Sequence, residues 1–105
     1  DFSISHRAKR PWQGQNEEIS EEKEEHQFFY NATGVDLTIT YRDEDANRQP
    51  VGLATKLTTG NSGTGNLTIT LRHEPNKSAT GVADGLLENA GGETDIEVTF
   101  PITIQ

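Results

Sequence analysis

The chain contains no cysteine. That excludes disulfides, thiolate zinc sites and a cysteine nucleophile, though it does not fix the compartment, since many secreted domains lack disulfides. Long apolar runs are also missing: none approaches the roughly 18 residues of a membrane span. No signal peptide or lipid-attachment cysteine is present, so any targeting segment is expected to have been removed or to lie outside these 105 residues. Basic residues are few, 9 Lys and Arg against 17 Asp and Glu, for a formal charge of −8. Such a surface repels phosphate backbones and anionic lipid and attracts cations, which argues against nucleic-acid binding. Hydrophobic residues make up only 30% of the chain, so one small domain with a thin, efficiently patterned core is expected.

The charge is unevenly spread. Residues 1–15, DFSISHRAKRPWQGQ, carry Asp1 against Arg7, Lys9 and Arg10, a net of +2, and hold the single Trp. They read as a terminal arm, with a segment docking on a partner or a piece foreign to the domain as alternatives. The stretch NEEISEEKEEHQ follows, with six glutamates between Glu17 and Glu25. Like charges at this density read as a solvated linker or a short exposed helix. Residues 1–25 are therefore expected to be arm and linker, and residues 26–105 a β-sandwich domain.

From His26 the texture changes. HQFFYNATG is short and aromatic. In VDLTITYR, Val35, Leu37, Ile39 and Tyr41 share one face, the period of two that marks a half-buried strand. VGLATKLTT is a weaker strand. NLTITLRH places Leu67, Ile69 and Leu71 inward with Thr68, Thr70 and Arg72 outward. In TDIEVTFPITIQ, Ile96, Val98, Phe100, Ile102 and Ile104 face in, while Asp95, Glu97, Thr99 and Thr103 face out. Pro101 has no amide hydrogen and predicts an edge position or a bulge. The connectors NATG, DEDANRQP and GNSGTG are turn chemistry. The long connection from Glu74 to Glu93 is of a length that is often functional, with one helical turn allowed near VADGLLENA. The fold is all-β: about five antiparallel strands in one sheet or part of a sandwich. So few large residues leave room for a missing N-terminal portion or a partner chain to supply the second layer.

Successive hairpins make the first four strands alternate in direction. His26 begins the first, DEDANRQP follows the second and His73 ends the fourth, so alternation gathers His26, Asp43, Glu44, Asp45, His73 and Glu74 at one end. Neutral imidazole suits zinc and copper, and carboxylates complete such shells. The metal candidates are His26 and His73 with Glu74, Asp43 or Asp45; the alternative is two strand-end histidines bonded to nearby acids. His6 lies in the arm. Asp43, Asp45 and Asn47 have the early spacing of a calcium loop, but no Gly sits at the sixth position and no Glu at the twelfth, which excludes a complete EF-hand and leaves an irregular calcium site. GNSGTG lacks the Gly-Lys-Ser/Thr ending of a phosphate loop, and no Gly-x-Ser-x-Gly elbow occurs. No apolar cleft residue marks a carboxylate pair for glycoside hydrolysis. Asn31, Asn66 and Asn76 head glycosylation sequons. No enzyme is expected.

EEHQFFY, RDEDANRQPVGL, GTGNLTITLRHEPNKSATGVADG and NAGGETDIEVTFPITIQ resemble small lipoproteins of Bacteroidota over roughly residues 17–105. Some of these are described as type 1 periplasmic-binding folds, an α/β architecture far longer than this chain, whereas the strands here alternate as all-β. The resemblance implies an N-terminal lipid anchor, export to the outer membrane or cell surface, and further strands upstream. It also implies an accessory role beside TonB-dependent outer-membrane receptors, in metal uptake. It matches at His26 and His73, but DEDANRQP is poorer in glycine and aspartate than the turn typical of the family. The functional expectation is a non-enzymatic surface domain that binds zinc or copper at one end. The alternatives are a protein-interaction module without metal and a calcium-stabilised domain.

Overall fold

The computed structural model describes residues 22–105. The arm expected over residues 1–25 lies, up to residue 21, outside the described residues; residues 22–25 form a helical turn. Five strands follow: β1 (His26–Thr33), β2 (Leu37–Tyr41), β3 (Thr55–Thr59), β4 (Gly63–His73) and β5 (Glu93–Ile104). The all-β expectation holds. The strands make two antiparallel sheets, one of three strands in the order β1-β4-β5 and a separate β2-β3 pair.

The expected run of successive hairpins is realised only in β2-β3. Strand length explains the difference. The eight residues of β1 all find partners on the eleven-residue β4, from His26↔His73 to Thr33↔Asn66. The five-residue β2 cannot offer that ladder and pairs residue for residue with the five of β3. Strand β5 lies at the edge, as Pro101 predicts, with Pro101 opposite Asn66.

Directly opposed residues of an antiparallel pair share a face. One face of the larger sheet therefore carries Gln27, Phe29, Thr68, Thr70, Glu97 and Thr99, and the other Phe28, Tyr30, Leu67, Ile69, Leu71, Ile96, Val98 and Phe100. The period of two assigns the second, apolar face to the interior. The core forms on the first. Phe29 is 2% exposed and packs with fully buried Val82 and Ala90, with Ala79 and Leu87 against them. These partners come from the 74–93 connection, which folds into two single 3-10 turns, Val82–Asp84 and Leu87–Asn89, on either side of Gly85. Buried Gln27 ties the connection down by donating from Nε2 to Val82 O at 2.8 Å and to the Tyr41 hydroxyl at 3.0 Å.

The inward assignment of Ile96, Val98 and Phe100 is overturned: they are 55%, 46% and 43% exposed. The long connection brings its own apolar residues to the threonine face and leaves the β5 third of the apolar face open. Leu67 and Ile104 alone on that face are buried.

The outer edge of β1 is closed by the segment after β2. Phe28 donates its N–H to Val51 O at 2.7 Å, and the Tyr41 hydroxyl donates to Phe28 O at 2.6 Å. Burial pushes the Tyr41 phenol up to about 12, Tyr30 and Asp43 adding to the rise and the Gln27 hydrogen bond opposing it, so it stays a donor. Gly52 makes the approach, at φ 96°, where a Cβ would meet Phe28 Cβ at 2.8 Å.

Candidate metal centre

His26 opens β1 and His73 closes β4, and antiparallel pairing sets them directly opposite one another. Their parity with Phe28 and Leu71 puts both at the end of the apolar face. His73 Nδ1 lies 3.0 Å from His26 Nε2, with the rings edge to face. The third member comes from β5: Asp95 Oδ2 lies 3.2 Å from His26 Nε2 and 4.0 Å from His73 Nδ1. The three ligand atoms fall within 4.8 Å of one another, one from each strand of the sheet.

Strict alternation puts Asp95 on the outer face beside Glu97, and this is why sequence reasoning omits it. The ladder shows the reason. Leu71 pairs Ile96, yet the next residue, Arg72, pairs Thr94, so Asp95 is an extra residue on β5. A bulge of this kind re-aims a side chain, and here it turns a carboxylate toward the histidine end. One weak signal is present in the sequence: the apolar alternation of β5 starts only at Ile96, and position 94, which a strict period would make apolar, is Thr94.

The hydrogen bonds around the group constrain its protons. His26 Nδ1 lies 2.9 Å from Glu22 O in the helical turn before β1. A carbonyl oxygen only accepts, so Nδ1 carries the proton and the neutral ring presents a lone pair at Nε2. That lone pair faces the Asp95 carboxylate and His73 Nδ1. A proton on His73 Nδ1 satisfies His26 but leaves the carboxylate directed at a lone pair. A cation shared at the centre, either a proton on His26 Nε2 or a metal ion, satisfies all three. The separations of 3.0, 3.2 and 4.0 Å bracket the roughly 3.3 Å edge of a tetrahedron with metal–ligand bonds of about 2.0–2.1 Å. The outer nitrogens are also flanked by acids, with Glu22 Oε1 3.2 Å from His26 Nδ1 and Glu74 Oε1 3.8 Å from His73 Nε2. At His26, the Glu22 O bond is the arrangement in which a second acceptor orients a ligating imidazole; at His73 the Glu74 carboxylate is near but beyond hydrogen-bond distance.

The other sequence candidates take different places. Glu74 sits on the far nitrogen of His73 rather than at the point of convergence. Asp43 accepts from the Gly52 and Leu53 N–H groups at 2.9 and 2.8 Å. Asp45 Oδ1 accepts from the Asn47 and Gln49 N–H groups at 2.8 and 3.0 Å, and Oδ2 pairs with Lys77 Nζ at 2.9 Å. Burial works to raise the Asp45 pKa, but the Lys77 ammonium and the two backbone donors outweigh it and hold the carboxyl below its ordinary value. The aspartates of DEDANRQP thus fold their own turn and anchor Lys77, which also donates to Lys23 O at 2.6 Å. Among the described residues, the only group of three converging metal-type ligands is His26, His73 and Asp95.

Comparisons of the chain with protein-family models, with curated proteins and with solved structures found no match.

Proposed function

We propose that this domain binds one divalent transition-metal ion, zinc or copper, through His26 Nε2, His73 Nδ1 and Asp95 Oδ2, with the fourth position open to water or a donor from another molecule. The observation that carries the reading is the convergence of these three atoms from three strands while Glu22 O holds the outer nitrogen of His26. Two imidazoles and one carboxylate suit both metals, and the separations fit a tetrahedral ion. The net charge of −8 raises the local concentration of cations. An open position suits delivery better than permanent structural storage, since a structural zinc site is closed by four protein ligands. The likeness of the chain's phrases to small Bacteroidota lipoproteins supports a place at the cell surface, beside an outer-membrane receptor to which the ion is passed.

The test is a titration of chelator-treated protein with zinc or copper against a chromophoric competitor. One equivalent should bind. The His26→Ala/His73→Ala double variant should show no binding, and Asp95→Ala should bind at least about 10- to 100-fold more weakly. Undiminished binding in the double variant would overturn the site.

A further inference from the structure

Among the described residues, β5 pairs with β4 on one side only. Its residues from Glu93 to Pro101 are all exposed. A bare edge of this length is a template for another strand. Pro101 fixes which backbone groups are free on it. Proline has no N–H, and inside a sheet it is tolerated where that group would face solvent. Pro101 pairs with Asn66 within the β4-β5 ladder. Pro101, Thr99 and Glu97 therefore turn their backbone groups away from β4, and Thr99 and Glu97 each offer an N–H and a C=O to the open side.

The edge also selects by charge. Glu93, Asp95 and Glu97 line its first half, and Phe100 and Ile102 follow. An acidic strand is repelled there and a basic one is attracted. Residues 1–15 carry a net +2, against −10 for residues 16–105. The same basic stretch opens with a period of two: Phe2, Ile4, His6 and Ala8 alternate with Ser3, Ser5, Arg7 and Lys9.

We propose that the segment Phe2–Arg7 adds to the sheet as a fourth strand, antiparallel to the free edge of β5 in the same chain. Chain length allows it. Glu22 precedes His26, and the pairs His26↔His73 and His73↔Glu93 mark one end of the sheet. The start of β5 is two strand spacings from His26, about 10 Å. Residues 10–21 span that gap with slack, at up to about 3.5 Å per residue. Charge sets the direction: an antiparallel arm brings Arg7, Lys9 and Arg10 to the acidic end of β5, and a parallel one carries them away. Parity then sets the register. With Arg7 opposite Glu97, Ser5 meets Thr99 on the threonine face, and His6, Ile4 and Phe2 meet Val98, Phe100 and Ile102 on the apolar face. Cation meets carboxylate, hydroxyl meets hydroxyl and apolar meets apolar. Beyond Glu97 the bulge at Asp95 ends the ladder and leaves Lys9 and Arg10 near the acids of that end. A tethered strand needs little contact area, because it meets β5 at an effective concentration roughly in the millimolar range.

The chain has no cysteine, so an introduced pair reports the register directly. His6→Cys/Val98→Cys puts two thiols on opposed residues of a non-hydrogen-bonded pair, where Cα atoms lie about 4.5 Å apart, within disulfide range. Val98 is 46% exposed, so the fold tolerates the change. Under mild oxidation the full chain should close an intrachain disulfide, read on a non-reducing gel. It should do so at least about 10-fold faster than Ser5→Cys/Val98→Cys, whose side chains leave opposite faces of the proposed ladder. Adding Ser5→Pro to the first pair removes an N–H that the ladder needs and should abolish the advantage. Equal rates in the two cysteine pairs overturn the inference, whether a foreign strand or none takes the edge. Disulfide-linked dimers in place of the intrachain bond overturn it too, since the arm would then serve another copy.

Discussion

Phe29 and Phe100 belong to one three-stranded sheet, yet Phe29 is 2% exposed and Phe100 43%. The faces they occupy differ in the opposite sense to expectation. The face of Phe29 is shared with Gln27, Thr68, Thr70 and Glu97, and it is the covered one. The face of Phe100 is almost wholly aliphatic and aromatic, and its β5 third is open. Hydrophobicity alone does not decide which side of a sheet is buried. What decides is where the chain can place a covering layer, and the 74–93 connection, arriving with Ala79, Val82, Leu87 and Ala90, covers the threonine side. Polar residues are buried beneath it with most of their bonds met, Gln27 Nε2 by Val82 O and Tyr41 and Thr70 by Glu97 at 3.3 Å, while Gln27 Oε1 is left without a partner.

The largest effect should come from unfastening that cover. Lys77 lies within it, and its ammonium pairs with Asp45 and bonds Lys23 O, joining three segments. Both side chains of the pair are essentially buried. Lys77→Ala should cost about 3–5 kcal/mol in urea unfolding, because it leaves an uncompensated carboxylate. The same pair sets a pH dependence. The folded Asp45 pKa is lowered, so its stabilisation is fully present above the ordinary carboxylate value of about 4 and is lost as pH falls through the folded value. Lys77→Ala should flatten that acid limb. An acid limb as steep as in the parent chain would show that the pair does not hold the cover.

The two phenylalanines supply the next comparison. Phe29→Ala removes a ring from the packed side and should cost about 3–5 kcal/mol. Phe100→Ala should cost well under half of that, since much of the ring already meets water. Equal penalties would mean that Phe100 is covered as fully as Phe29.

Much of this was legible in the residues. Alternation located β2, β4 and β5, while β1 was marked by its aromatic residues and β3 read as a weaker strand; of the connectors, DEDANRQP lies wholly between strands, whereas Asn31–Thr33 of NATG belong to β1 and Gly63–Gly65 of GNSGTG to β4. That His26 and His73 lie at one end follows from strand direction alone, since β1 and β4 run antiparallel in either arrangement; that they meet face to face takes the β1-β4 ladder, which strand direction does not give. Three things were not legible. Alternation says which residues share a face, not which face is covered, and the covering residues of the 74–93 connection follow no period that would announce them. The role of DEDANRQP was also hidden, since Asp43 and Asp45 bond backbone N–H groups and a distant lysine, partners that spacing does not reveal. The carboxylate that does meet the histidines escaped for a third reason: it breaks the period from which the strand was read.

That break permits the finest test of the difference between the faces. Asp95 belongs by alternation to the threonine side and is carried to the apolar side only by the extra residue in β5. Its two neighbours already pair as an unbroken ladder would have them, Ile96 with Leu71 and Thr94 with Arg72. The Arg72 guanidinium also holds Thr94 and Gly91 at 2.8 and 2.9 Å. Deleting Asp95 should therefore close the bulge and keep every other pair in register. Unfolding free energy should change by no more than about 1 kcal/mol, because only an unpaired residue of an edge strand is lost. Metal affinity should fall as far as it does in Asp95→Ala, since the third ligand atom is gone while His26 and His73 still face each other. A deletion that unfolds the chain would show that the bulge is a structural need of β5. One that folds and binds metal undiminished would show that two histidines suffice and that Asp95 is only their neighbour.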